Sequence, residues 1–192
     1  MTFTIGTWNA EWATPRTEAG PRILEIIRQI DPDIFVLTEG CADLLPPSGH
    51  VIDGGTNWGY ELRDDRHRKV LIWSKYPWSA VDQLGSFDLP PGRFIAGTTQ
   101  TLHGDVRVIG VCIPWHSAHT NTGHKNRKNW EDHETYLIHL APLLTVGSAP
   151  LCILAMETGI ATQKERIMPT LLSFLTGLEI LPRLRPCATV LR

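Results

Sequence analysis

Three polar residues stand at the ends of apolar runs in this 192-residue chain. FTIGTW runs into Asn9, IFVLT into Glu39 and VIGVCIPW into His116. In α/β proteins the ends of sheet strands are where ligand chemistry collects. An acid, an amide and an imidazole brought together there can hold a hard metal with a proton donor beside it. Mg²⁺ prefers oxygen ligands, keeps waters, and commonly uses only one or two carboxylates plus a substrate phosphate. Each residue alone has a plainer role: Glu39 as a solvated strand end, Asn9 as a turn cap, His116 as a structural histidine. The combination is what points to a site.

The elements that must position them are readable from periodicity. Phe3–Trp8 alternates and is rich in β-formers, which predicts a first strand. Ile23, Leu24, Ile26, Ile27 and Ile30 recur at helical spacing, and Asp31-Pro32-Asp33 ends that helix. Ile34–Leu37 is a continuous apolar run, as expected of a strand buried on both faces. Leu44–Asn57 is rich in Pro and Gly and reads as loop. Val70–Trp73 reads as a further strand. Phe94–Leu102 and Val106–Ile113 flank His103-Gly104-Asp105 as a hairpin. Arg127–Leu144 reads as a second helix with Trp130, Leu137, Leu140 and Leu144 on one side, and Leu151–Ala155 as one more strand. The order βαβ, then mostly β, then αβ suits an α/β protein whose helices cover a sheet core.

Composition sets the outer bounds. The length fits a single domain with a sizeable core. A net charge of −2 argues against a surface coated in positive charge for nucleic acid, while leaving room for a basic cleft. The four cysteines, Cys41, Cys112, Cys152 and Cys187, form no CxxC pair, so buried free thiols and a reducing, cytoplasmic setting are expected. MTFTIGTW lacks the pattern of a signal peptide. No apolar run approaches the roughly 18 residues of a membrane span. Neither a membrane nor an obligate protein partner is expected.

TWNAEW, PDIFVLTEG, RKVLIWSKYP, GRFIAG and VCIPWHSAH occur in that order. Together they resemble the endonuclease/exonuclease/phosphatase superfamily, which includes apurinic endonucleases, pancreatic-type deoxyribonucleases, neutral sphingomyelinases and inositol-polyphosphate phosphatases. The resemblance covers Phe3 to Ala155. It implies a two-sheet α/β sandwich, a DNase-like fold of four layers, with one Mg²⁺-dependent (or Mn²⁺-dependent) phosphoesterase site. By position, Glu39 matches the metal-ligand glutamate, with Thr38 where the family often has Gln. Asn9 matches the first-strand asparagine of the metal-site network. His116 matches the histidine that bonds the scissile phosphate or assists proton transfer. Arg93 matches a basic residue that reaches toward phosphate or the metal-site acids. Trp12 and Trp115 flank the proposed site as surfaces for a base or sugar.

The resemblance stops after Ala155. There the family carries Gly-Asp-aromatic-Asn, whose Asp orients the attacking water, and nearer its C-terminus an Asp-His pair. This chain has Met156, Glu157, Thr158 and Gly159, and no histidine after His139. Glu157 keeps a carboxylate, one methylene longer. The codons of Met-Glu-Thr-Gly-Ile, read two bases on, become GGA, RAC, NGG, NAT, which can spell Gly-Asp-Trp-Asn. Residues 156–192 are therefore expected to be either a divergent or an out-of-frame tail, with the second sheet missing its last strands and stability low.

Other signals carry less. His116, His119 and His124 evoke zinc, but neither Cys nor a HExxH helix accompanies them. His124–Lys128 reads as a phosphate-cleft lining or a solvated helix start. Arg63–Lys69 is mixed in sign and reads as a wet turn. The expected function is metal-dependent hydrolysis of a phosphodiester, nuclease-like, with nucleic acid (DNA among the candidates) the favoured substrate class and activity impaired in this chain. The alternative is a non-catalytic protein of the same fold that binds phosphate or nucleic acid.

Overall fold

The computed structural model describes residues 3–61, 64–102 and 104–144, together with the backbone of 151–157 and 188–191. Two mixed sheets carry the fold. The first holds β1 (Ile5–Asn9), β2 (Ile34–Cys41), β3 (His50–Asp53), β4 (His67–Ser74) and β9 (Ala188–Leu191), in the order β3-β4-β2-β1-β9. The second holds β5 (Trp78–Asp82), β6 (Phe94–Thr101), β7 (Gly104–Ile113) and β8 (Leu151–Glu157), in the order β5-β6-β7-β8. Helix α1 (Gly20–Ile30) joins the parallel pair β1 and β2, and α2 (Glu131–Leu140) lies between the parallel pair β7 and β8. Parallel neighbours need such crossovers, which is why the apolar runs alternate with helical stripes.

The two-residue period of the strands builds four layers. Ile34 and Val36 of β2, Val70 and Ile72 of β4, Ile95 of β6, and Val108 and Cys112 of β7 fill the space between the sheets. Their neighbours point the other way. Phe35, Leu37, Leu71 and Trp73 pack under Ile23 and Ile27 of α1. Phe94, Ala96, Ile109, Val111 and Ile113 pack under Tyr136 and Leu140 of α2. Continuous apolar runs thus serve two cores at once, as expected for strands buried on both faces. The DNase-like four-layer class expected from the sequence is the one observed.

Several boundaries differ from the sequence reading. The strand IFVL extends through Glu39 to Cys41. Residues 50–53, inside the segment read as loop, form the edge strand β3, which is half exposed and so lacks a buried apolar run. The hairpin is tighter than expected: β6 and β7 pair out to Thr101 and Gly104. Helix α2 begins at Glu131 rather than Arg127, because Trp130 is left-handed (φ 72°) and the Glu131 carboxylate accepts the Lys128 N–H at 2.8 Å. A 3₁₀ turn covers Ala141–Leu144. Strand β8 runs two residues past Ala155, its backbone pairing Glu157 with Ile113. The helical pattern TQKERIMPTLLSFLTGLEI lies outside the described residues. Cys41 and Cys112 are free and buried. Among the described residues no helix is long and apolar enough to cross a membrane.

Candidate active site

A cleft of about 670 Å³ opens where the two sheets meet. Asn9, Glu11 and Trp12 line it from the end of β1, Glu39 from β2, His67 and Lys69 from β4, and Arg93 and Trp115 from the other sheet. Trp58, Tyr60 and Glu61 close the rim.

The chain turns sharply at the end of β1. Glu11 and Trp12 both have positive φ (49° and 66°), and Asn9 Oδ1 accepts the Glu11 N–H at 2.9 Å. Asn9 is therefore a turn-capping residue and a cleft residue at once. The turn is stitched to β2: Ala10 N–H donates to the Thr38 carbonyl at 2.8 Å and Trp12 N–H donates to that of Glu39.

Glu39 itself is left-handed, at φ 49°, inside a strand. A non-glycine residue held there costs on the order of 1–3 kcal/mol and persists only where its surroundings enforce it. The β2–β4 ladder pairs Thr38 with Val70 and Gly40 with Arg68, which sets Lys69 opposite Glu39. Lys69 Nζ donates to Glu39 Oε1 at 2.5 Å and lies 4.6 Å from the centre of the Trp12 ring. Glu39 and Lys69 are 7% and 6% exposed. The run Arg63–Lys69 is thus not a wet turn throughout: Arg66 does make an exposed pair with Asp64, but Lys69 is buried in the cleft wall. Its position just before VLIW was the available signal, since a strand that continues backwards by one residue carries the lysine inside.

Arg93 is 1% exposed. Its Nη1 donates to the Cys112 carbonyl at 3.2 Å, and no carboxylate lies within ion-pairing distance among the described residues. A buried guanidinium without a counter-ion is costly unless an anion completes it. Gly92, before it, is at φ 73°, and a Cβ there would collide with the Asn57 carbonyl oxygen.

The structure brings Asn9, Glu39, Arg93 and Trp115 together. His116 stands one residue beyond the lining. Its ring packs edge-on to Trp115 and tilted against Trp130, at 5.3 and 5.4 Å between centres, and its carbonyl accepts the Trp130 N–H. Glu157 ends β8, its backbone paired with that of Ile113, two residues before Trp115. Trp12 stacks on Trp58 at 5.7 Å and leans on His67 at 5.3 Å. His124, Lys125, Arg127 and Lys128 are exposed and lie outside the cleft lining.

The donor set suits a hard cation with few protein ligands. Glu39, Glu11 and Glu61 supply carboxylates and Asn9 an amide oxygen, while among the described residues no group of three or more His, Cys, Asp or Glu gathers to hold an ion alone. Oxygen donors of this kind suit Mg²⁺, which prefers carboxylate and amide oxygens and completes its shell with waters. Zinc is a poor fit to the histidines. His119 Nδ1 accepts the His124 N–H at 3.1 Å, which leaves the proton on Nε2, the nitrogen that would have to be a ligand.

The chain belongs to the endonuclease/exonuclease/phosphatase family, whose model matches residues 6–145. No curated protein sequence matches it. Among solved structures it is similar to an endonuclease/exonuclease/phosphatase from Beutenbergia cavernae, at 17% identity and a TM-score of 0.50, covering 79% of this chain and 46% of that one. The 3′ phosphatase NExo from Neisseria, bound to a product DNA hairpin, shares 20% identity at TM-score 0.50, over 80% of this chain and 57% of that one. A mutant beta toxin from Staphylococcus aureus with bound magnesium ions shares 14% identity at TM-score 0.51, over 95% of this chain and 72% of that one. The chain thus spans about half the length of the first two.

Proposed function

We propose that the cleft is a Mg²⁺-dependent (or Mn²⁺-dependent) phosphodiester hydrolase site, nuclease-like in substrate, and that this chain runs it with impaired activity. One observation carries the reading. The carboxylate of Glu39 and the amide of Asn9, from one sheet, share a cleft with the buried guanidinium of Arg93, from the other, which has no carboxylate partner among the described residues. Bound at Glu39 and Asn9, the metal would polarise a phosphoryl oxygen and lower the pKa of a coordinated water.

The chain's own residues do the rest. Arg93, fixed through its backbone and already desolvated, binds the non-bridging phosphate oxygens and stabilises charge that grows on them. His116, held by the Trp115 and Trp130 rings, sits beside the lining and supplies a proton donor there. Glu157, at the end of β8, is the carboxylate that substitutes for the water-orienting Asp. Trp12 and Trp115 offer aromatic faces for a base or sugar. DNA as the substrate class is supported by the likeness to a phosphatase bound to a DNA hairpin, and the metal by the likeness to a toxin with bound magnesium ions. The impairment follows from Met156–Gly159, which lacks the Asp and Asn of the family motif, and loss of members of a catalytic unit typically costs a factor of about 10³ or more.

The test is hydrolysis of plasmid DNA and of a generic phosphodiester, with Mg²⁺ and with EDTA, for the wild type and Glu39→Gln. Slow turnover that EDTA and Glu39→Gln abolish is expected. Turnover indifferent to EDTA would refute the metal, and fast Mg²⁺-dependent turnover the impairment. Salt-sensitive DNA binding without any turnover would instead identify a non-catalytic binding protein on this fold.

A further inference from the structure

We propose that Lys69 is the resident counter-ion of Glu39, which a divalent cation must move aside, so that the lysine governs how tightly the site takes its metal. The proposal rests on the reading of Glu39 as a metal ligand.

Four observations carry it. Register sets Lys69 opposite Glu39 across the β2–β4 ladder. The ammonium holds Oε1 at 2.5 Å, an oxygen a metal would also claim. Both groups are nearly fully buried, so solvent and salt screen the encounter of ammonium and incoming cation poorly. The ammonium already lies over the Trp12 ring, and a lysine's flexible four-carbon stem lets it leave the carboxylate while keeping that aromatic contact.

The charge balance has a consequence. With Lys69 on Glu39 and Arg93 nearby, an approaching cation meets two positive groups beside the engaged Glu39 carboxylate, and only Glu11 and Glu61 of the lining offset them. Metal alone therefore binds weakly. An anion that neutralises Arg93 lowers the local positive charge, so phosphate and metal assist one another. Coupling of this kind is reciprocal.

The experiment is Mn²⁺ titration of the full chain, followed by electron paramagnetic resonance and calorimetry, for the wild type, Lys69→Gln, Lys69→Arg and Glu39→Gln. Lys69→Gln is expected to bind Mn²⁺ about tenfold tighter or more, since the like charge is gone. Lys69→Arg is expected to stay close to the wild type. Inorganic phosphate should tighten Mn²⁺ in the wild type and do so less in Lys69→Gln. Equal or weaker affinity in Lys69→Gln, with Glu39→Gln losing the ion, would overturn the proposal and leave the metal reading standing. Binding unaffected by Glu39→Gln, or none in any protein, would overturn both. Should Lys69→Gln fail to fold, tryptophan emission of the wild type decides. Mg²⁺ must alter it as the ammonium shifts at Trp12, the change must vanish in Trp12→Phe, and an unchanged emission refutes the proposal.

Discussion

The hydroxyl of Tyr136 in α2 donates to the main-chain carbonyl of Arg93 at 2.8 Å, tying the helix to the residue that carries the buried guanidinium. Tyr136 is wholly buried, and burial holds its phenol protonated far above the ordinary range, so the bond persists at all working pH values. The same carbonyl also accepts the Cys112 N–H at 2.9 Å. Tyr136→Phe therefore leaves one partner in place and is expected to cost about 0.5–1.5 kcal/mol in urea unfolding. A loss above about 3 kcal/mol would mean that the helix depends on this bond more than a single neutral hydrogen bond allows.

Glu39 and Lys69 form a pair that neither can leave cheaply. Removing the lysine alone, as in Lys69→Met, is expected to cost about 3–5 kcal/mol, because a buried carboxylate loses its partner. The double variant Glu39→Gln with Lys69→Met should recover most of that loss. Equilibrium unfolding of the four proteins in a double-mutant cycle measures the coupling. Additive losses would show the two side chains to be energetically independent.

Gly92 carries the approach of the 54–61 loop to the cleft. Its φ of 73° and the Asn57 carbonyl against it leave no room for a side chain. Gly92→Ala is expected to destabilise by about 1–3 kcal/mol through backbone strain, with the clash adding to it. Thermal melting checks the stability. A neutral substitution would show that the loop yields.

His119 makes the loop that follows Trp115 sensitive to acid. Burial pushes its pKa below 6.5, opposed by the nearby Asp132 carboxylate and assisted by His124, Arg93 and Arg127. Because the folded value lies below the unfolded one, the folded state favours the neutral ring. That contribution is complete above the unfolded value and is lost as pH falls through the folded one. Protonation also removes the Nδ1 acceptor of the His124 N–H. Between about pH 7 and pH 5, the wild type should lose more unfolding free energy than His119→Asn. Parallel pH profiles for the two proteins would refute this.

Much of the site was legible because strand ends announce themselves. Asn9 and Glu39 follow apolar runs, and the cleft collects both with Arg93 and Trp115. His116 was legible as a position but not as an orientation, since its ring is set by Trp130, which arrives from fourteen residues on through a left-handed turn. Lys69 was hidden by its neighbours. In RDDRHRK it is one charge among many, and apart from its place next to VLIW only pairing with β2 distinguishes it from Arg66, which stays at the surface.

By itself, the sequence determined the layers: its apolar periods of two and of 3.6 residues can be satisfied only by sheets and helices that bury those faces. It also determined which polar residues stand where strands stop. Tertiary structure alone decided what they touch. The strain at Glu39, the ammonium held on its carboxylate and over Trp12, and the buried guanidinium of Arg93 against Cys112 all arise between segments far apart in the chain. No local pattern encodes them, because charge pairing and burial depend on which surfaces the two sheets bring face to face.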